Sequence, residues 1–307
     1  MDVKQIKYIL TIAQEGGITR AANKLFITQS ALDQQLIKLE KELGVQLFSR
    51  TRKNCALTPA GEIYVSYAKQ MMQMKNEAYQ KIYELADLQK GTLSVAFAPE
   101  RGMETFMEIY PIFYQDFPGI TVVPREIRVN RQIEMLCKGE LDLCFLSMAA
   151  GEIPGVVRKC LTKEEFLLVT PLDHALASRA APKGQPLTEL KVSDLKDTAL
   201  CLMYRESTQR PVIDPLFEDA EQKPTLFLET SSNRANIDMV QKGLACSIVP
   251  EYYVRNTKSL HRFRLEGRPS WELSACYRQR GYLSKAARYF IDLAARQIQR
   301  GQEQRNF

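Results

Sequence analysis

The sequence predicts an α/β protein with a small helical head, one long connecting helix and a larger body in which strands and helices alternate. Two patterns carry this prediction. Three amphipathic helical segments follow one another closely within residues 3–43, and from Gly91 onward short apolar runs alternate with helical periodicity. The length of 307 residues is enough for two or three domains.

The composition narrows the class of protein. Hydrophobic residues make up 45% of the chain and charged residues 25%, which excludes intrinsic disorder. No apolar run approaches the roughly 20 residues of a membrane helix, and the N-terminus carries no apolar signal core. The seven cysteines include no C-x-x-C pair, which favours reduced thiols over a disulfide framework. We therefore expect a cytoplasmic protein that makes no contact with a membrane.

The head has the pattern of a helix-turn-helix. Residues 3–14 and 19–25 predict two short helices separated by a pair of glycines. Thr28 then has the place of an N-cap for a third helix, which ends before Gly44. Two short helices joined by a tight connection, the second of them well capped, are typical of DNA-binding heads. The buried stripe of the third helix is Leu32, Leu36, Leu39 and Leu43.

The outer face of the third helix is polar. Ser30 and Gln34 point away from the leucine stripe, Asp33 lies near the edge of that face, and Gln29 is in the first turn. A recognition helix meets base edges with side chains of this kind. A generic three-helix bundle with a solvated outer face is the alternative that this pattern alone leaves open.

Residues 45–57 predict a small hairpin, or wing, with cations at its tip. Apolar residues flank a basic and turn-prone stretch at 50–54. Residues 1–58 also hold a net charge of +4 out of +6 for the whole chain, which favours a polyanion as the partner of the head. The residues expected to contact DNA are Thr28, Gln29, Ser30, Asp33, Gln34, Lys38, Arg50, Arg52 and Lys53.

A single long helix is predicted from Pro59 to about Lys90. Thr58 is its N-cap, and proline suits the first helical position. A helix of roughly 30 residues spans about 45 Å, too long to be buried in one small domain. Its apolar stripe therefore predicts pairing with a second copy, and packing on its own chain is the alternative. The stripe consists of Ile63, Tyr67, Met71, Met74, Ala78, Ile82 and Leu85.

The body predicts two similar α/β halves with a mainly parallel sheet. Strands are expected at 92–98, 120–127, 141–146, 166–170, 199–203, 225–229, 245–250 and 271–277. Helices are expected at 105–117, 130–138, near 192–195, 211–220, 232–242 and from 285 to about 300. Ligands of such sheets bind in the crevice at the carboxyl ends of the strands.

The sequence lacks the common catalytic and nucleotide-binding motifs. The chain has no G-x-x-x-x-G-K-[ST], G-x-G-x-x-G, H-E-x-x-H or G-x-S-x-G sequence. Its two histidines, His174 and His261, have no partner nucleophile at a recognisable spacing. We therefore expect a protein that is not an enzyme and has no metal or cofactor.

The strand ends predict the residues of a small-molecule site in the crevice. Arg101, Arg131, Arg205 and Arg234 are cations near these ends, and residues 230–233 precede a helix whose N-terminus suits an anion. A small carboxylate is the expected effector, although Glu100 argues against a purely anion-seeking pocket. The predicted lining is Pro99, Glu100, Arg101, Gly102, Asn130, Ser147, Met203, Arg205, Thr230, Ser231 and Ser232.

Several segments closely resemble the LysR-type transcriptional regulators. In the head these are GITRAANKLFITQSAL at 17–32, LEKELGVQLFSRT at 39–51 and LTPAG at 57–61. In the body FPGI at 117–120, GELDL at 139–143, VQKGL at 240–244 and VP at 249–250 are similar to landmarks of the family. The likeness covers essentially the whole chain.

The resemblance implies a winged helix-turn-helix, a linker helix that pairs two subunits, and an effector domain like periplasmic solute-binding proteins. It implies a homodimer or homotetramer on double-stranded promoter DNA, a small-molecule effector between two lobes, and RNA polymerase as a further partner. By matching position, Gln29, Ser30 and Gln34 would contact bases or backbone, and Arg50 and Arg52 would meet phosphates or the minor groove.

The expected division of the chain is a DNA-binding head at 1–58, a linker helix at 59–90, effector lobe I at 91–161 plus 267–307, and effector lobe II at 162–266. One departure stands out, because the family usually has serine at the place of Asp33. Some members sense oxidants through cysteines, so a redox sensor is an alternative. The next cysteine after Cys201 is Cys246, and a buried structural thiol is the expected role of Cys201. A solute-binding protein is a weaker alternative, since it would leave residues 1–58 unexplained.

Overall fold

The head is a winged helix-turn-helix. The computed structural model describes residues 2–50, 55–86, 88–182 and 184–303, without the side chains of residues 50, 302 and 303. The apolar faces of three helices meet in one core, in which Ile9, Ile12, Leu32 and Leu36 are fully buried. The elements of the head are α1 (Val3–Glu15), α2 (Ile18–Leu25), α3 (Gln29–Leu43), β1 (Phe48–Arg50) and β2 (Cys55–Leu57).

The linker helix α4 (Pro59–Leu85) is joined rigidly to the head. Its first turns belong to the core of the head through Tyr64, Val65 and Ala68. Gly61 lies so close to the Leu47 carbonyl that a Cβ there would stand 2.0 Å from the oxygen. Head and helix therefore form one packed unit.

The linker helix ends earlier than the predicted Lys90. The Ala86 amide donates to the Ile82 carbonyl over 3.0 Å, and the Leu88 amide donates to the Tyr83 carbonyl over 2.8 Å. These bonds close the last turn and release the chain to enter the first strand of the body.

The helix uses two different faces. On one face Lys69 pairs with Glu140 at 2.6 Å, and Glu77 pairs with Arg278 at 2.6 Å, so this face packs on the body of its own chain. On the other face, all seven residues of the predicted apolar stripe are exposed, with Leu85 at 88% and Met74 at 71%. The linker helix therefore packs on the body of its own chain through one face, while the apolar stripe on its other face stays exposed.

The body consists of two lobes. The elements of lobe I are β3 (Gly91–Phe97), α5 (Arg101–Asp116), β4 (Ile120–Glu126), α6 (Val129–Cys137), β5 (Leu143–Met148), the first part of β6 (Val156–Thr170), and later β12 (Ser270–Arg278) and α9 (Lys285–Glu303). Lobe II contains the rest of β6, β7 (Glu189–Leu190), β8 (Ala199–Met203), α7 (Arg210–Asp219), β9 (Thr225–Thr230), α8 (Asn233–Gln241), β10 (Cys246–Pro250) and β11 (His261–Leu265). Each lobe has its own core, built around Phe97, Phe113, Phe145 and Phe290 in lobe I and Phe166, Phe217 and Phe263 in lobe II.

The strand order is β4-β3-β5-β12-β6-β10-β8-β9, with β11 on β6 and β7 on β11. Strand β6 pairs with β12 up to Glu165 and with β10 from Phe166, so it passes from one lobe to the other between these two residues. The large sheet is mixed, with five parallel and four antiparallel strand pairings among the described residues. Strands β6 and β12 run antiparallel to their neighbours, because each crosses between the lobes and returns the chain.

Several other elements differ from the sequence-based expectation. Helix α5 begins at Arg101 and not at 105, because Glu100 turns the chain with φ of 64° and Gly102 fits tightly against Phe97. Strand β6 begins ten residues earlier than expected, at Val156, and β11 was not expected at all. Residues Val192–Leu195 form a 3-10 turn. None of the described helices is long and apolar enough to cross a membrane.

Candidate functional site

The polar face of α3 lies open at its N-terminal end. The hydroxyl oxygen of Thr28 caps the helix by accepting from the Ala31 amide over 3.2 Å. The Thr19 hydroxyl donates to the side-chain oxygen of Gln29 over 3.0 Å, which leaves the amide NH2 group of Gln29 to donate outward. Five of the predicted DNA-contacting residues are exposed here, and Asp33 is half-buried; the exposed ones are Thr28, Gln29, Ser30, Gln34 and Lys38.

The wing is described only at its base. Strands β1 and β2 pair in register from Phe48 opposite Leu57 to Arg50 opposite Cys55. The side chain of Arg50, and Arg52 and Lys53 as a whole, lie outside the described residues. Phe26 was not among the predicted contact residues, yet it ends α2 with φ of 54° and is 95% exposed in the turn before α3. Its signal was an aromatic residue in the turn between two helices.

A cleft of about 340 Å³ opens between the lobes at the carboxyl ends of β3 and β8. Its floor is apolar, with Phe97, Phe145, Trp271 and Leu273. Eight predicted residues line it, namely Pro99, Glu100, Arg101, Gly102, Asn130, Ser147, Met203 and Ser231. Arg205, Thr230 and Ser232 are absent from the lining.

Thr230 and Ser232 serve the turn into α8 instead of the cleft. The Thr230 hydroxyl donates to the Asn236 side chain over 2.8 Å. The Ser232 hydroxyl oxygen accepts from the Ala235 amide over 3.1 Å and donates its own hydrogen to Glu100. The N-terminus of α8 is thus capped by its own side chains, and the predicted anion site there is not supported.

Three of the four cations expected to bind an anion are paired with carboxylates of this chain. Arg101 is buried, pairs with Glu164 and stacks over the Tyr252 ring at 4.2 Å. Arg131 pairs with Glu134 at 2.6 Å, and Arg234 pairs with Glu104. Together with the position of Arg205 outside the cleft, these pairs remove the basis on which a carboxylate was expected.

The sequence analysis also missed part of the wall. Ser207, Thr208 and Gln209 follow β8 as a polar run, which was a readable signal. Tyr253 comes from a 3-10 helix after β10, and Trp271 from the strand that returns to lobe I. The sequence offers no signal for these two, because their place depends on how the lobes are joined.

Hydrogen bonds connect the two lobes across the cleft. The Thr208 hydroxyl of lobe II donates to the Ser147 carbonyl of lobe I over 2.9 Å. The Tyr252 hydroxyl of lobe II donates to Glu104 of lobe I over 2.7 Å. The two lobes are therefore tied together by hydroxyl donors and by Arg234, with Glu100 and Glu104 as the acceptors on lobe I besides the Ser147 carbonyl.

The thiols near the sheet are buried and protonated. Burial, and then the neighbouring Cys201, raise the pKa of Cys246 to about 12, and burial raises the pKa of Cys276 to about 12. Burial also raises the pKa of Cys201. Since the thiolate is the reactive form, these groups are poor redox centres at neutral pH. No group of three possible metal ligands occurs within the described parts of the chain.

Two family models match almost the entire chain. The model described as "Bacterial regulatory helix-turn-helix protein, lysR family" matches residues 3–62, and "LysR substrate binding domain" matches residues 86–299. This chain belongs to the LysR family of transcriptional regulators. It therefore combines a DNA-binding head with an effector-binding domain.

Relatives of this LysR-family chain agree with the assignment. An uncharacterized HTH-type transcriptional regulator, YybE of Bacillus subtilis (strain 168), is 30% identical over 82% of this chain and 83% of its own. A probable RuBisCO transcriptional regulator of Synechocystis sp. is 28% identical over 94% of this chain and 84% of its own.

Solved structures share the fold over nearly the full length. A full-length OxyR variant from Pseudomonas aeruginosa is 25% identical, with a TM-score of 0.70 over 97% of this chain and 95% of that one. CbnR in complex with its target DNA is 23% identical, with a TM-score of 0.64 over 96% of this chain and 99% of that one.

Proposed function

We propose that the head reads double-stranded promoter DNA and that a small molecule in the inter-lobe cleft controls this binding or promoter activation. The observation that carries the proposal is the arrangement of α4, which is packed into the core of the head and tied to lobe I by Lys69 and Glu77. A change of shape in the body thus has a rigid route to the DNA-facing surface.

On DNA, α3 enters the major groove with its N-terminal turns. Gln29 and Gln34 carry amides that suit bidentate contacts to adenine, while Ser30 and Thr28 reach bases or backbone. Lys38, Arg50, Arg52 and Lys53 neutralise phosphates, which makes binding dependent on salt. Asp33 accepts a hydrogen bond from a cytosine amino group, and Phe26 offers an apolar contact for a thymine methyl group.

The proposed assembly is a homodimer through α4, with two dimers forming a homotetramer. Its support is the exposed apolar stripe, which is uncovered along the length of the helix. A two-fold dimer reads half-sites about one helical turn apart. RNA polymerase is a further partner where the protein activates transcription, and the cytoplasm is where it meets its promoter.

The proposed effector site keeps the eight predicted residues that line the cleft and adds Ser207, Gln209 and Tyr253. We divide the chain as the sequence suggests, into a head at 1–58, a linker at 59–90, lobe I at 91–161 plus 267–307, and lobe II at 162–266. The regulatory role, and not catalysis, is the function that the family and the cleft support.

A mobility-shift titration of the full-length protein on the DNA upstream of its own gene tests this proposal. Specific and salt-sensitive binding is expected, because a few cations and polar side chains provide the contacts. Equal affinity for upstream DNA and for an unrelated duplex at every salt concentration would contradict it.

A thiol-based redox sensor is the second candidate, favoured by the similarity to OxyR at 25% identity. The burial of Cys201 and Cys246 speaks against it, because neither thiol is accessible to an oxidant.

A further inference from the structure

The charges of the cleft lie at its rim, and its depth is lined by neutral polar groups. Arg128, Arg131, Glu134 and Glu206 are exposed, and Glu100 is half-buried. The buried polar residues of the lining, apart from Arg101, carry no charge. These include Ser147, Ser207, Gln209 and Asn233, with exposures of 7%, 6%, 3% and 4%.

One buried cation, Arg101, also lines the cleft, but its charge is already neutralised. Its partner Glu164 is 1% exposed and additionally accepts from the Trp271 indole over 3.1 Å. The Arg101 Nε–H has no hydrogen-bond partner among the described residues and can donate to a neutral ligand acceptor, whereas a ligand carboxylate would bring a second negative charge onto the same arginine beside buried Glu164. The buried charges of Arg101 and Glu164 therefore balance each other, and a ligand anion would find no additional counter-charge at depth among the described lining residues.

The buried lining has unused hydrogen-bonding capacity. The side-chain oxygen of Gln209 and the hydroxyl oxygen of Ser207 have no hydrogen-bond partner among the described residues. The amide nitrogen of Gln209 is occupied, since it donates to Asn233 over 2.9 Å. Both oxygens are buried, so a ligand donor that binds after a small side-chain rotation would satisfy acceptors that the described residues leave unpaired.

The remaining lining suits a flat apolar group. Trp271 and Leu273 lie at the bottom of the cleft above the buried rings of Phe97 and Phe145, and the volume of about 340 Å³ is at the lower end of small-molecule pockets. The Arg128 guanidinium is stacked over the Tyr204 ring at 4.9 Å, which holds this cation at the mouth.

From these observations we propose that the effector is a small uncharged molecule with one apolar ring and a hydrogen-bond donor, such as a primary amide or a hydroxyl group. The donor bonds to Gln209 and Ser207, and the ring lies on the apolar floor. This inference rests on the proposed function, since it specifies the ligand of the same cleft. It replaces the carboxylate that the sequence suggested.

Matched probes test the charge of the ligand. Benzamide, benzoate and benzylamine share one ring, as do cyclohexanecarboxamide, cyclohexanecarboxylate and cyclohexylmethylamine. Saturation-transfer NMR and calorimetry on the full-length protein follow binding up to about 10 mM, the range expected for fragments of this size. We expect an amide to bind at least about tenfold more tightly than its acid and its amine, because burying an unpaired charge is costly.

Two variants test whether the probe binds in the cleft. Ser207→Ala and Gln209→Leu each remove an oxygen, and each should weaken amide binding about 3- to 10-fold, the value of one hydrogen bond. Ser178→Ala and Gln115→Leu are the matched controls at exposed positions outside the cleft and should leave amide binding unchanged. Ser207→Ala is a small change and keeps the test valid if Gln209→Leu loosens Asn233.

The inference is overturned if the acid or the amine of a pair binds best, if no probe binds, or if both cleft variants bind the amide as well as the wild type. Promoter binding is measured on the same samples without probe. Loss of that binding would contradict the proposed function, whereas intact promoter binding with an acid-selective cleft would overturn only the ligand class.

Discussion

The DNA-facing end of α3 and the inter-lobe cleft use polar side chains in opposite ways. On α3 the side chains of Gln29 and Gln34 stand exposed on one short element. In the cleft the polar groups are buried, come from both lobes, and the arginine at depth is paired with Glu164. The difference shows that an exposed amide or cation is free to contact DNA. A buried cation such as Arg101 is already paired within the protein and contributes first to its stability.

The largest effect is expected at the buried ion pair. Glu164→Leu leaves Arg101 without its partner in the interior, and we expect a loss of about 3–5 kcal/mol in the free energy of unfolding. Urea denaturation of the purified protein measures this loss. Lys159→Met is the control, because its pair with Asp292 is exposed and should contribute less than about 1 kcal/mol.

If Glu164→Leu had no more effect than Lys159→Met, the pair would not be structural and Arg101 would be available to a ligand anion. The double variant Arg101→Met/Glu164→Leu sharpens the point. It removes both charges together and should recover most of the lost stability.

The next effect is expected at the recognition helix. Gln34→Ala removes an exposed amide, so we expect a loss of about 1–3 kcal/mol in binding to the specific site and no change in thermal stability. Fluorescence anisotropy with operator and unrelated duplexes measures both affinities. Gln115→Ala, an exposed glutamine in α5, is the matched control. Equal losses on both duplexes would mean that Gln34 contacts the backbone and not a base.

A smaller effect is expected at Asp33, a residue that differs from the family's usual serine. Asp33→Ser removes a negative charge close to the phosphates, and affinity for non-specific DNA should rise about 2- to 5-fold at low salt and less at high salt. Unchanged salt dependence, together with a lower stability in urea, would show that Asp33 instead stabilises the first turns of α3 through the helix dipole.

The smallest effect is expected at the thiols. Cys201→Ala should keep the wild-type response to ligand, and peroxide should leave promoter binding unchanged, because burial raises the pKa of this thiol. In the folded protein a thiol reagent should label Cys137 and Cys160, which are exposed, and spare Cys144 and Cys201, which are buried. If Cys201 were labelled as fast as Cys137, the result would support the alternative that the protein is a redox sensor.

The head could be read from the sequence because its structure depends on neighbours along the chain. The cap at Thr28, the stop at Gly44 and the burial of Leu32, Leu36 and Leu39 in α3 are local signals that the structure confirms. Leu43, the last residue of the predicted stripe, is instead 44% exposed at the end of the helix. In the cleft, local sequence patterns correctly predicted where the strands end. They did not predict which partners the residues at these ends would bind. Arg101 looked like a ligand-binding cation because Glu164 lies 63 residues away and meets it only after the lobes have joined.

The close fit of Gly61 against the Leu47 carbonyl has a mechanical consequence. Because the first turns of α4 also belong to the core of the head, the head moves with the start of the linker helix. The 27 residues of α4 form a lever of about 40 Å. A tilt of about 5° at Glu77, which pairs with Arg278 of lobe I, displaces the start of α4, about 27 Å away, by about 2–3 Å, close to the rise of one base-pair step. A ligand that shifts lobe I by a few degrees would therefore change which base pairs the two heads of a dimer can reach together.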